Sequence, residues 1–421
     1  MTNIGESALH NSLHRKSPLL RYAVSSPARA ETLSYMASAQ IQFSSESANR
    51  KLVLTGQLAF LPTGVLTTLL GPMLPIVIAR WTLSDTQAGN LFLVQFLGQL
   101  AGVQLASPML ARVGFRPAFL SGLALMGCGV STFFLGSAWL GFFSVAVYGL
   151  GVGFMTPTDN LLIAEVSPHA RASAVSLLNF FWGVGAVLCS LLVAWSYAHG
   201  LLPVFLGLVA LSILLLLVAV RSLPFPGAVK SDRTPVAWRE IWTRPATWLF
   251  AAVFFLYPGA ETAVGGWIGS YVARMGSHGA SLASTMPAFF YVALMMGRGP
   301  GSLLLPHLPE RRVLQAGFAF GAAGIGMLLW SSALPGVISS ALLTGLSFAA
   351  LYPITVARLS HHFGIAARSV GSVMFSLAAV GPAMIPWLVG VISHATGNLR
   401  AGLLVPLVAT AVLFFLHLWD W

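Results

Sequence analysis

Tyr257, Glu261 and Gly265 recur at one-turn spacing within residues 249–274, LFAAVFFLYPGAETAVGGWIGSYVAR, an apolar run long enough to cross a bilayer. On a helix they put a phenol, a carboxyl and a gap for close approach on one face, with Trp267 further along. An ionised group alone at that depth is costly, so an intramembrane Glu marks a functional site. The chemistry open to it is proton uptake and release: desolvation favours a neutral carboxyl, and protonation cancels a charge that a closed site does not tolerate. Glu261 is therefore the first ion-coupling candidate. Two other uses stay open, a partner for polar backbone at Pro258-Gly259 and a direct substrate ligand. Asp159, in another apolar run, is the second candidate, with gating or helix packing as alternatives.

Elements that position such groups must themselves lie in lipid. Of 421 residues, 57% are hydrophobic and 8% charged, against about 25% charged in a soluble domain. Cys128 and Cys189 fall inside apolar runs and form neither a disulfide framework nor a metal motif. No metal, cofactor, nucleophile or phosphate motif appears, and Gly297, Gly299 and Gly301 read as close helix packing.

Residues 1–50 are polar and Ser-rich and read as a disordered cytoplasmic extension. Apolar runs then recur at 52–78, 87–111, 116–136, 139–164, 171–196, 201–220, 246–273, 281–304, 313–332, 334–358, 367–393 and 399–419. With the N-terminus inside, Arg50, Lys51, Arg112, Arg116, Arg171, Arg221, Lys230, Arg233, Arg311, Arg312, Arg358 and Arg368 all face one side. Arg80, Arg274 and Arg400 face the other, and Arg298 alone is left within a span. This bias places both termini in the cytoplasm of a cell whose inner, plasma membrane holds the protein. It accounts for the net charge of +11 without nucleic acid. Arg298 reads as a snorkelling side chain or as a contact to substrate or carboxylate.

The polar segment 222–245 divides the chain into six-helix bundles at 51–221 and 246–421. One offset of 196 residues pairs Pro62 with Pro258, Gly149-Leu150 with Gly345-Leu346, Pro157 with Pro353 and Gly185 with Gly381. That shared register predicts pseudo-symmetric halves with a ligand site between them near mid-bilayer.

Residues 107–116, SPMLARVGFR, resemble the cytoplasmic signature G-x-L-x-D-R-x-G-R-R of the major facilitator superfamily, and the resemblance extends over 52–421. Arg112, Gly114 and Arg116 match, while Ser107, Met109, Ala111 and Phe115 depart. With no acid at 111, Glu165 is the candidate partner for these arginines in a cytoplasmic gate. Tyr257-Pro-Gly-Ala-Glu261, followed by Gly266-Trp267 and Tyr271, is similar to the fucose and sodium–glucose branch of sugar transporters. Asn160 suits that branch, although the acid often found four residues earlier is Thr156 here. Asn179-Phe-Phe-Trp-Gly-Val-Gly-Ala186 lacks the G-P-x-x-G-G pattern of drug–proton antiporters.

The resemblance implies an all-α membrane fold of twelve transmembrane helices in two six-helix halves, acting as a secondary transporter by alternating access rather than as an enzyme. A sugar would need amides and hydroxyls for its OH groups and an aromatic face for its ring. Gln57, Gln95, Gln99, Asn160, Asn179 and Trp182 are the candidates in one half, and Tyr257, Trp267 and Tyr291 in the other. The expected partners are a small-molecule substrate, a coupling proton or sodium ion and the lipid bilayer, with the chain a monomer. An exporter of amphipathic compounds and a non-transporting membrane receptor are the alternatives.

Overall fold

The computed structural model describes residues 49–167, 171–228, 238–276, 279–304 and 308–418. The expected extension over 1–48, the middle of the 222–245 linker and the packing reading of Gly299 and Gly301 lie outside what it describes. Residues 53–421 form one compact unit. Among the described residues the regular structure is helical, as hydrocarbon demands: a helix satisfies its own backbone polar groups where no water can.

The first half comprises α1 (Asn49–Thr68), α2 (Leu70–Trp81), α3 (Asp85–Arg112), α4 (Phe115–Thr132), α5 (Ala138–Val166), α6 (Arg171–Ala198) and α7 (Leu202–Val220). After the short α8 (Trp238–Trp242), the second comprises α9 (Pro245–Ala273), α10 (Ala280–Leu304), α11 (Glu310–Trp330), α12 (Leu334–Phe348), α13 (Leu351–Phe363), α14 (Ala367–Thr396) and α15 (Leu399–Leu416). α1 and α2 make one span bent by 43°. Pro72 causes the bend, since it cannot donate to the Thr68 carbonyl. α12 and α13 likewise make one span, Leu334–Phe363. With the bent pair taken as one span, eleven helices among the described residues are long and apolar enough to cross a membrane; α4, 18 residues long, is not among them and packs on α5 and α7, a count consistent with the expected twelve.

The repeat is visible as repeated contacts. A Cβ on Gly185 would overlap the Leu61 carbonyl of α1, and one on Gly381 the Phe255 carbonyl of α9. Gly149 meets the Gln95 carbonyl as Gly345 meets that of Phe290. Helix ends repeat too, because offset 196 maps Arg221 onto His417. Arg116 donates to the Arg221 carbonyl, and Gln315 Nε2 donates to the His417 carbonyl at 2.7 Å. Two seams join the halves, α3 on α14 and α6 on α10, while α2 inserts against α9 and α10.

Candidate functional site

The end of the bundle opposite Arg112 is closed. Ser84 and Gln87 form a capping box that starts α3 with Asp85 in its first turn. Asp85 accepts both guanidinium nitrogens of Arg274, with Nη1 at 2.9 Å, and also the Ser393 hydroxyl. Trp387 Nε1 donates to Asn90 Oδ1 at 2.9 Å. α3, α9 and α14 are thereby tied across the seam between the halves. No sequence pattern pointed to this latch, whose partners lie up to 308 residues apart.

Toward the end that carries Arg112, α6, α10 and α13 enclose a cavity of about 780 Å³, bordered by Asn179, Trp182, Tyr291, Arg298 and Tyr352. Trp182 and Tyr291 meet edge to face at 6.3 Å, and the Arg298 guanidinium lies 6.0 Å from the Trp182 ring. Beside them on α9, the Tyr257 hydroxyl donates to Glu261, and Arg298 Nη2 stands 3.6 Å from the same carboxylate oxygen. The Tyr257 hydroxyl also lies 3.1 Å from the Phe348 carbonyl, where α12 ends. Arg298 Nε is buried without a partner. Arg298 lines the cavity, and the Glu261 and Arg298 side chains are 16% and 29% exposed. The gap expected at Gly265 is filled, since a Cβ there would lie 2.7 Å from Tyr291 Oη.

Other candidates sit elsewhere. Gln95 is consumed by structure, its Nε2 donating to the Thr67 carbonyl at 2.9 Å and its Oε1 accepting from Tyr148 at 3.1 Å. Trp267 is fully buried, stacked near Phe92 and bonded through Nε1 to the Pro386 carbonyl at 3.0 Å, below the closed end. Asn160 and Asn179 each donate to the preceding turn of their own helix, to Thr156 and Val175, although Asn179 also lines the cavity. Gln57 is buried in α1, and Gln99 Oε1 is buried without a partner. Asp159 is fully buried, both its oxygens unpartnered, against α1 where Gly56 leaves room: a Cβ there would lie 2.5 Å from Asp159 Oδ1.

At the loop after α3, Gly114 takes φ +99°, a turn that glycine adopts without strain. Arg112 and Glu165 are exposed, Arg116 turns to the Arg221 carbonyl, and among the described residues Glu165 forms no ion pair with either arginine. Of the two readings the sequence left open for Arg298, a snorkelling side chain or a contact to substrate or carboxylate, its geometry fits a carboxylate contact. Its signal was available, as the basic residue left inside a span.

A sequence profile for the Major Facilitator Superfamily matches residues 58–376. The 2-nitroimidazole transporter of Escherichia coli K12 is 25% identical, the match covering 88% of this chain and 94% of that protein. The glucose/mannose transporter GlcP of Bacillus subtilis is 24% identical over 81% and 88%. Bypass of stop codon protein 6 of Saccharomyces cerevisiae is 23% identical, and the match spans 60% of this chain and 56% of that protein. Among solved structures, the Escherichia coli fucose:proton symporter FucP superposes with a TM-score of 0.58 at 18% identity, covering 87% and 97%. Spans, halves and profile agree that the chain is a multi-pass membrane transporter belonging to the Major Facilitator Superfamily.

Proposed function

We propose that this transporter carries a small polar solute, a monosaccharide or similar neutral polyol, together with a proton, and that Glu261 is the coupling group. The observation behind this reading is the contact of Glu261 with both Tyr257 and Arg298 at the edge of an aromatic-lined cavity. The phenol has one proton and two acceptors, Glu261 and the Phe348 carbonyl. When Glu261 is ionised, the phenol and Arg298 both serve the carboxylate. Once it is protonated, the acid donates to the phenol oxygen, the phenol turns to Phe348, and Arg298 is released toward the cavity. Phe348 ends α12 at the break before α13, whose residues border the cavity, so protonation and cavity shape share one element. The Trp182–Tyr291 pair offers the ring face, and Asn179 and Arg298 offer donors.

Closure at the Asp85–Arg274 end with the cavity at the Arg112 end is an inward-facing arrangement, taking the basic end as cytoplasmic and both termini as inside the plasma membrane. The halves then rock about the Glu261 centre as a monomer, in the alternating access typical of such repeats. Asp159 is a second protonation site, released only when α1 and α5 part at Gly56.

A second reading, export of amphipathic compounds, draws on the apolar flank of the cavity, which Phe180, Leu294, Met295 and Val356 form. Uptake of a labelled monosaccharide panel into proteoliposomes, under an imposed proton gradient, a sodium gradient or neither, tests the choice. Proton-driven accumulation of a sugar supports the first reading. Absence of any sugar signal alongside proton-driven transport of planar aromatic compounds rejects it in favour of the second.

A further inference from the structure

A second cavity, of about 440 Å³, lies wholly within the second half, at the end that carries the basic loops. Its wall combines Glu310 at the start of α11, Arg358, His361 and His362 at the end of α13, and His417 just beyond α15. Phe250 and its apolar neighbours on α9 form the floor. Three imidazoles and a guanidinium thus converge from two elements on one pocket, with His361 and His362 exposed and His417 buried. Glu310 balances Arg358 only loosely, at 4.0 Å. Among the described residues no His, Cys, Asp and Glu group is spaced to hold a metal ion, so the imidazoles are not a cation site.

We propose that this cavity binds a phosphate-bearing anion, either the headgroup of an anionic membrane lipid or a free phosphate compound. Arg358 supplies a planar fork suited to phosphate oxygens, and the histidines supply further N–H donors when protonated. The location fits, because basic pockets between spans on the cytoplasmic side meet anionic headgroups.

His417 gives the site a pH response. It is buried, packs at 4.9 Å on Phe318, and its Nδ1 lies 2.8 Å from the Leu413 carbonyl, so that Nε2 is the nitrogen left to take a proton. Burial holds this imidazole below its ordinary range; the Leu413 bond opposes that, and the positive charges of Arg358 and Arg311 add to it. The facing groups are Glu310 and Arg311 from α11 and Arg358, His361 and His362 from α13; the α9 floor contributes nothing titratable. A bound anion offsets the two arginines and favours charged His417. Binding therefore takes up a proton and tightens as pH falls.

Under the 196-residue offset, Gly114, Asp159 and Arg221 of the first half stand where Glu310, Thr355 and His417 stand in the second. The histidine cluster is thus a property of one half and not of the repeat.

The test is native mass spectrometry of the full chain with phosphatidylglycerol or phosphatidylcholine, plus inorganic phosphate titrated against thermal unfolding in phosphatidylcholine nanodiscs. Variants Arg358→Gln and the double His361→Gln/His362→Gln are compared with wild type, with Arg112→Gln as an exposed basic control. Preferential phosphatidylglycerol binding, stronger at about pH 6 than at about pH 8 and about fivefold weaker for each cation removed, supports a lipid headgroup. Saturable stabilisation by inorganic phosphate, lost in the same variants, supports a free phosphate ligand. Equal retention of both lipids with no phosphate response, or a loss equally large in Arg112→Gln, overturns the proposal. Unchanged unfolding of the variants in phosphatidylcholine without phosphate verifies that they are folded.

Discussion

Two acids in the two halves of the bundle meet opposite surroundings. Asp159 is sealed between α5 and α1 with neither oxygen partnered, while Glu261 receives the Tyr257 phenol and faces Arg298 at the edge of the main cavity. An unpaired buried charge costs far more than a paired one, so the charged form is supported at Glu261 and unsupported at Asp159 in this arrangement. Two carboxyls that the sequence ranks first and second as coupling candidates therefore differ in their surroundings as well. One has charged and polar partners within reach, and the other has none.

The largest expected effect comes from breaking the partnered acid. Glu261→Gln leaves Arg298 uncompensated and removes the exchangeable proton; gradient-driven accumulation should vanish in proteoliposomes while solute exchange continues. Arg298→Gln should come next, reducing transport by about tenfold or more, the scale of a lost buried partner. The double variant Glu261→Gln/Arg298→Gln should recover thermal stability relative to either single one, because the two act as a pair; a simple sum of the single effects would show that they do not. Tyr257→Phe removes only the shared hydrogen bond, worth about 0.6–2 kcal/mol between membrane helices. Slower transport with coupling intact is its expected result, read from initial rates at matched protein levels. Asp159→Asn should be mildest, shifting thermal stability by less than about 1 kcal/mol, since an amide keeps the shape in an already unpartnered site. It should lower the proton-to-solute ratio without abolishing accumulation, and an effect as large as that of Glu261→Gln would erase the contrast between the halves.

The fold was legible because lipid imposes length. Runs near 20 apolar residues had to be spans, and the register of Gly185 with Gly381 and of Gly149 with Gly345 reappears as matched backbone contacts. At the site, Glu261 and Tyr257 were legible from one-turn spacing on a single helix. Legibility failed where the answer depended on direction. Gln95, Trp267 and Asn160 carry suitable chemistry, yet their polar atoms go to Thr67 and Tyr148, to Pro386 and to Thr156. In a membrane the lipid-facing surface is as apolar as the interior, so hydrophobic periodicity does not say which way an amide points. Arg298 was undecided for a related reason, since a long side chain can reach either an interface or a carboxylate. The Asp85–Arg274–Ser393 latch was out of reach altogether, being assembled from three helices far apart in the chain.

The most direct test of the Glu261 account is proton movement itself: the pH inside lightly buffered proteoliposomes, followed when solute is added outside, for wild type and Glu261→Gln. Solute-dependent acidification in wild type, and its absence in a Glu261→Gln protein that still exchanges labelled solute, is the predicted result. Equal acidification in both proteins would contradict it and move proton coupling away from Glu261.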